Sequence, residues 1–170
     1  MKENTQIEQT IDVHGMEKSF YLIGLLNEFV NRFQSVGDRF FSDISWKQGF
    51  LLACIQLFNI PPTLGELSEA MGCSHQNVKQ MLLKLQKMGY VKLLTDEEDK
   101  RKQRVHLTDK AKKFSDKNDQ PSKAYMAELF QAVQKEQLEV TIKTMMQLDE
   151  TLKQLSIKVG GIRNEEDRSV

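Results

Sequence analysis

Residues 63–108 read TLGELSEAMGCSHQNVKQMLLKLQKMGYVKLLTDEEDKRKQRVHLT. Thr63 with Glu66 forms a capping box, in which the hydroxyl accepts the Glu66 N–H and the carboxylate reaches back to the Thr63 N–H. Leu64, Leu67 and Ala70 then share one face of a short helix. Gly72 supplies the left-handed residue of a tight turn, and Ser74 is placed to cap a second helix over 75–88. Within it Val78, Met81, Leu82, Leu85 and Met88 recur at steps of three and four and face inward. His75, Gln76, Lys79, Gln80 and Lys84 face out. Helix, glycine turn, helix is the helix-turn-helix plan, whose second helix is shaped to enter a major groove. Gly89 closes that helix. Tyr90–Leu94 and Arg104–Leu107 have strand composition and flank the polar stretch Thr95–Gln103, so a small hairpin follows with DEEDKRK at its tip.

Working outward toward the N-terminus, Pro61 and Pro62 end a preceding helix predicted over Trp46–Asn59. Its interior, LLACIQLF, is apolar nearly all round, which marks a core helix, and Asp43 or Ser45 caps it. Phe40 and Phe41 anchor the loop before it. Gly15–Val36 places Met16, Phe20, Ile23, Leu26, Phe29, Val30 and Phe33 on one amphipathic face. So apolar a helix near a terminus is expected to pack against more than its own domain. Toward the C-terminus, Thr108-Asp109 caps a helical region running to about Val133, with Pro121 marking a kink or a break and restart. A last helix is expected from Lys135 to Val159, ended by Gly160-Gly161. The fold class is therefore mainly α with a small β-hairpin wing.

With 39% hydrophobic and 28% charged residues over 170 positions, this is a globular composition large enough for a real core. No run reaches the ~18 apolar residues of a membrane span. The N-terminal MKENTQIEQT lacks a signal-peptide plan, and Cys54 and Cys73 make no disulfide framework, so a cytoplasmic location is expected. Net charge is zero, yet residues 74–113 carry 11 basic against 5 acidic side chains. A positive excess confined to one block points to a polyanion partner, or to a solvated lysine-rich surface.

The pieces in register resemble the MarR family of winged helix-turn-helix regulators. LGELSEAMGCS resembles its supporting helix and turn, and HQNVKQMLLKLQKMGYV its recognition helix. DEEDKRKQRVHLT resembles its wing, with the acidic pair Asp96 and Asp99, then Arg101, ending at Leu107-Thr108. The likeness spans about residues 15–158. It implies a homodimer built from N- and C-terminal dimerisation helices, and repression of transcription relieved by a small molecule or an oxidant. The implied organisation is a tail over 1–14, a dimerisation helix and loop over 15–44, and a DNA-binding winged domain over 45–108. Dimerisation helices over 109–159 and a tail over 160–170 complete it. Two departures stand out. Ala111 occupies a position where glycine is frequent. Leu83, where a polar residue is usual, can touch a thymine methyl or pack against the wing.

The candidate DNA-binding residues follow. His75, Gln76, Lys79 and Gln80 are placed to reach base edges, glutamine suiting the adenine N6/N7 pair. Ser74 and Lys84 are placed for phosphates. Arg101 at the hairpin tip suits a minor groove, and the resemblance implies that Asp99 orients it. Lys100, Lys102 and Arg104 add phosphate contacts. The expected partners are palindromic double-stranded DNA, a second copy of the chain and a small-molecule effector, with no membrane. No phosphate loop, nucleophile elbow or HExxH is present, so no enzyme is expected. His14, His75 and His106 lack metal-ligand spacing, and no cofactor is expected. Two alternatives remain: a thiol-redox regulator sensing through Cys73, at a helix start that lowers a thiol pKa, and a protein-interaction module without an operator.

Overall fold

The computed structural model describes residues 15–166, with side chains through residue 156. The expected tail over 1–14 and the last residues, 167–170, lie outside the described residues. Among the described residues, six helices and two strands follow in order: α1 Lys18–Gly37, α2 Trp46–Gln56, α3 Leu64–Ala70, α4 His75–Lys87, β1 Val91–Thr95, β2 Gln103–Leu107, α5 Asp109–Leu129 and α6 Lys135–Glu166. The chain divides into two compact units, residues 1–117 and 118–170.

In the first unit, the starts of α2, α3 and α4 are each fixed by the side chain that precedes them. The Ser45 hydroxyl accepts the Gln48 N–H, and the Gln48 amide oxygen accepts the Ser45 N–H at 2.9 Å. Thr63 and Glu66 make the same reciprocal pair, with the Thr63 N–H donating to the carboxylate at 2.7 Å. Those bonds hold the Glu66 carboxyl below its ordinary range. The α3 and α4 helices end alike. Gly72 at φ +58 and Gly89 at φ +79 take the left-handed position, and the next N–H returns to the helix, Cys73 to the Ser68 carbonyl and Tyr90 to the Leu85 carbonyl. This is the Schellman arrangement, which a side chain at either glycine would strain.

The core sits where α2, α3, α4 and the hairpin meet. Leu51, Leu67, Val78, Leu85 and Val105 are fully buried there, with Tyr90 and Val91 closing one side. An aromatic chain extends it: Phe41 stacks on Trp46 (5.6 Å) and meets Phe114 (5.2 Å), and Phe33 of α1 stands edge-on to Trp46 at 4.9 Å. The strands pair antiparallel, Val91 opposite Leu107 and Leu93 opposite Val105.

Several boundaries differ from the sequence reading, each for a local reason. The α2 helix stops at Gln56, because Leu57 and Phe58 turn back onto the Cys54 and Ile55 carbonyls in a tightened last turn. It is buried on one side only, since Phe50 and Ala53 are exposed. Strand β1 starts one residue late because the Tyr90 N–H is spent on the end of α4. The α5 helix runs without a break through Pro121 and ends at Leu129, before a turn over 130–133. Proline removes one backbone bond, and here the flanking turns hold the helix together. The α6 helix passes through Gly160 and Gly161 to Glu166 instead of ending at Val159. Glycine costs a helix only about 1 kcal/mol per residue, and stops it only when it turns left-handed.

The α1 helix presents its apolar face to the outside. Phe20 and Ile23 are 71% and 59% exposed, and Phe29 and Val30 are half exposed. In the second unit Val140, Met146 and Leu152 of α6 are likewise exposed. Among the described residues no helix is long and apolar enough to cross a membrane.

Candidate nucleic-acid interface

The outward face of α4 is laid out by its inward one. With Val78, Leu82 and Leu85 buried and Met81 and Met88 packed on the core, 3.6-residue periodicity turns the remaining positions to solvent. Ser74, His75, Gln76, Lys79, Gln80 and Lys84 are all exposed. Ser74 accepts the Asn77 N–H at 3.3 Å as the N-cap, which leaves the first turn of α4 open to solvent. Leu83 is also half exposed and stands outside the set of apolar side chains packed on the core.

The wing is braced from its base. The Val105 N–H donates to the Pro62 carbonyl at 2.8 Å, and Thr63 bridges Arg104 in an antiparallel step. The linker after α2 therefore lies along β2 as a third, one-step strand. At the mouth of the loop the Asp96 N–H donates to the Lys102 carbonyl at 3.0 Å. The Asp96 carboxylate is buried and faces inward, accepting the N–H groups of Glu98 (2.9 Å) and Asp99 (2.7 Å) and the Arg104 Nε–H. Arg104 also donates through Nη1 to the Pro61 carbonyl at 2.8 Å. Arg104 thus braces the wing through Nε and Nη1. It stands opposite Leu94 on the strand ladder, and that register turns it toward the loop.

Asp99 carries the next step. Its Oδ1 accepts both the Arg101 N–H (3.1 Å) and Nε–H (3.0 Å), and Oδ2 accepts Nη2–H at 3.3 Å. These bonds hold the Asp99 carboxyl below the usual aspartate range. Lys102 Nζ lies 3.6 Å from Oδ2 of the same carboxylate, and Lys100 is exposed. The Arg101 side chain is 90% exposed, so its guanidinium is both presented and fixed at one end. Asp96 and the Pro61 carbonyl were the parts sequence reasoning missed as wing supports. The available signal was an aspartate at the first loop position with an arginine on the returning strand.

The Asp99 N–H first, then the Arg104 side chain and the Glu98 N–H, hold the Asp96 carboxyl down to about 2. A carboxyl depressed in the folded state contributes stability that is complete above the ordinary aspartate range and is lost as pH falls through its lowered value. Carboxyl-carbon NMR titration is therefore expected to show Asp96 titrating near 2, with wing amide shifts following it. A midpoint in the ordinary range would remove Asp96 as the brace of the loop.

Of the cysteines, Cys54 is buried and its thiol is pushed up by burial, which disfavours the thiolate needed for redox chemistry. Cys73 is half-buried against the core, one residue before the α4 cap. Among the described residues no three His, Cys, Asp or Glu side chains gather as a metal site.

An exposed polar helix and a braced hairpin on a small core define a winged helix-turn-helix fold. Residues 44–102 match the model of the MarR family. The match covers the helix-turn-helix and most of the wing loop, so that segment is similar to the same region of the family. No curated protein matches the chain. Among solved structures, it is similar to a MarR/EmrR family transcriptional regulator from Acinetobacter sp. ADP1, with TM-score 0.73, 13% identity, and 82% of this chain and 99% of that one covered. It is also similar to S. aureus MepR in a DNA complex (TM-score 0.68, 16% identity, 75% and 94% covered). A third is the organohalide-sensing regulator RdhR in a 2,4-dichlorophenol-bound form (TM-score 0.72, 15% identity, 83% and 85% covered). At these identities the likeness is one of fold.

Proposed function

We propose that this chain is a DNA-binding transcriptional repressor that acts as a homodimer on a palindromic operator and is released by a small-molecule effector. The observation that carries the reading is the exposed polar face of α4 standing beside a wing whose Arg101 guanidinium is fixed and presented. His75, Gln76, Lys79 and Gln80 take base edges, and Ser74, Lys84, Lys100 and Lys102 take phosphates. Arg101, oriented by Asp99, enters the minor groove. Residues 45–108 form the DNA-binding part, and 15–44 with 109–159 hold the two copies together. One recognition helix covers half a site, and a two-fold dimer sets two of them about 34 Å apart in successive grooves. An effector bound to the dimer shifts that spacing. MepR, crystallised with DNA, and RdhR, crystallised with a chlorophenol, lend support by likeness of fold.

The test is binding of the purified protein to fragments of its own upstream region over a salt series. Phosphate contacts release counterions, so six to ten of them predict a fall of roughly 10³–10⁵ in affinity between about 50 and 200 mM salt. A protein-interaction module of the same fold predicts no binding, or binding that salt leaves alone. Either result would sink the proposal.

A further inference from the structure

The face of α4 that is opposite the core is polar except at its centre. Leu83 lies seven residues after Gln76, which returns it to within roughly 20° of the same bearing, two turns further along the axis. Its helical neighbours at three and four residues on either side are Lys79, Gln80, Gln86 and Lys87, and all four are exposed. A single exposed leucine says little by itself. This one occupies the middle of the surface that the proposed function sends into the major groove, half open to solvent and flanked by amide and ammonium groups.

Leucine has no donor and no acceptor. Among the groups a base pair shows in the major groove, the thymine C5-methyl is the one apolar feature; the others are amino groups, carbonyl oxygens and ring nitrogens. Pressed against any of those, Leu83 would strip water from a polar atom and offer nothing in return. Against a methyl it buries apolar surface on both sides. We infer that Leu83 is a specificity-determining residue that reads a thymine methyl in each half-site and disfavours other base edges there. The inference rests on the DNA-binding reading above and adds to it a base and a mechanism: selection by an apolar contact set between polar readers. Gln76 and Gln80, suited to adenine, make an A·T-rich half-site the consistent outcome.

The experiment uses the full chain and the duplex it selects from a randomised library. Each thymine of that duplex is replaced in turn by deoxyuridine, which deletes the methyl and leaves every hydrogen-bonding group in place. At one position per half-site the replacement is expected to weaken wild-type binding about fourfold, and about fifteenfold when made in both half-sites, the value of one buried methyl-sized group. Leu83→Ala, at an exposed position, is expected to keep the wild-type thermal midpoint and to bind the thymine and deoxyuridine duplexes alike. Wild-type protein indifferent to every replacement would overturn the inference, as would a Leu83→Ala protein that discriminates like wild type. Failure of the wild-type chain to select any duplex falls instead on the DNA-binding proposal, and takes the inference with it.

Discussion

Arg101→Ala is expected to weaken operator binding about five- to hundredfold per half-site, the range for a guanidinium withdrawn from a groove contact. Its companion, Asp99→Ala, is the more discriminating variant. Residues 96–104 carry four acidic and four basic side chains, with Asp96 paired to Arg104 and Asp99 to Arg101. The wing therefore brings no net charge to the DNA. Its contribution is a placed guanidinium, and the local positive excess comes from α4 and the lysines around it. If charge alone mattered, removing Asp99 would make the wing more cationic and binding tighter. If position matters, the side chain loses the carboxylate that accepts its Nε–H and Nη2–H, regains its rotamers and binds more weakly. An exposed ion pair adds little stability, so the Asp99 variant should fold and melt as wild type does. Fluorescence anisotropy with a labelled operator separates the two: weaker binding supports the positioning role, and tighter binding removes it. Unchanged affinity in Arg101→Ala would take the wing out of the interface altogether.

The elements of the recognition unit were legible in the sequence because each is specified by neighbours a few residues apart. The Thr63–Glu66 box, the left-handed Gly72 and Gly89, and the inward stripe from Val78 to Leu85 are local codes, and the structure keeps all of them. What escaped depended on contacts across the fold. That Arg104 turns inward to Asp96 and Pro61 follows from strand register and from the linker lying along β2. A run of alternating charges in DEEDKRKQR does not say which pairs close. The ends of α2 and α6 were misjudged for the opposite reason. Pro61 and Pro62 suggested that α2 continue to Asn59, and the Gly160-Gly161 pair that α6 stop, yet neither pair sets an end. The backbone bonds of Leu57 and Phe58 end the first, and right-handed glycines leave the second running.

The second large effect concerns the apolar face of α1. Phe20 and Ile23 are among the more exposed large apolar side chains in the first unit, and Phe29 and Val30 are half exposed. Soluble chains rarely leave so contiguous an apolar stripe uncovered, and the proposed dimer supplies the cover. In a two-fold interface each side chain is counted twice, once from each copy. With about 1.5–3 kcal/mol for each large apolar side chain buried, Phe20→Asp and Ile23→Asp together remove several kcal/mol of association. Sedimentation equilibrium is expected to show the double variant as a monomer at concentrations where the wild-type chain is a dimer. Its far-ultraviolet circular dichroism and its melting should stay near wild type, because the buried cluster around Leu51, Leu67 and Leu85 does not include these positions. Operator binding should fall by more than any single recognition-helix substitution achieves, since losing the second copy removes a whole half-site. A half-site duplex should still bind the monomer weakly and with the same sequence preference. If the variant remains a dimer with unaltered operator affinity, the α1 face is not the interface and the two-fold arrangement must be built elsewhere. If it becomes a monomer that binds the full operator undiminished, then one recognition helix and one wing suffice, and the palindromic operator loses its physical basis.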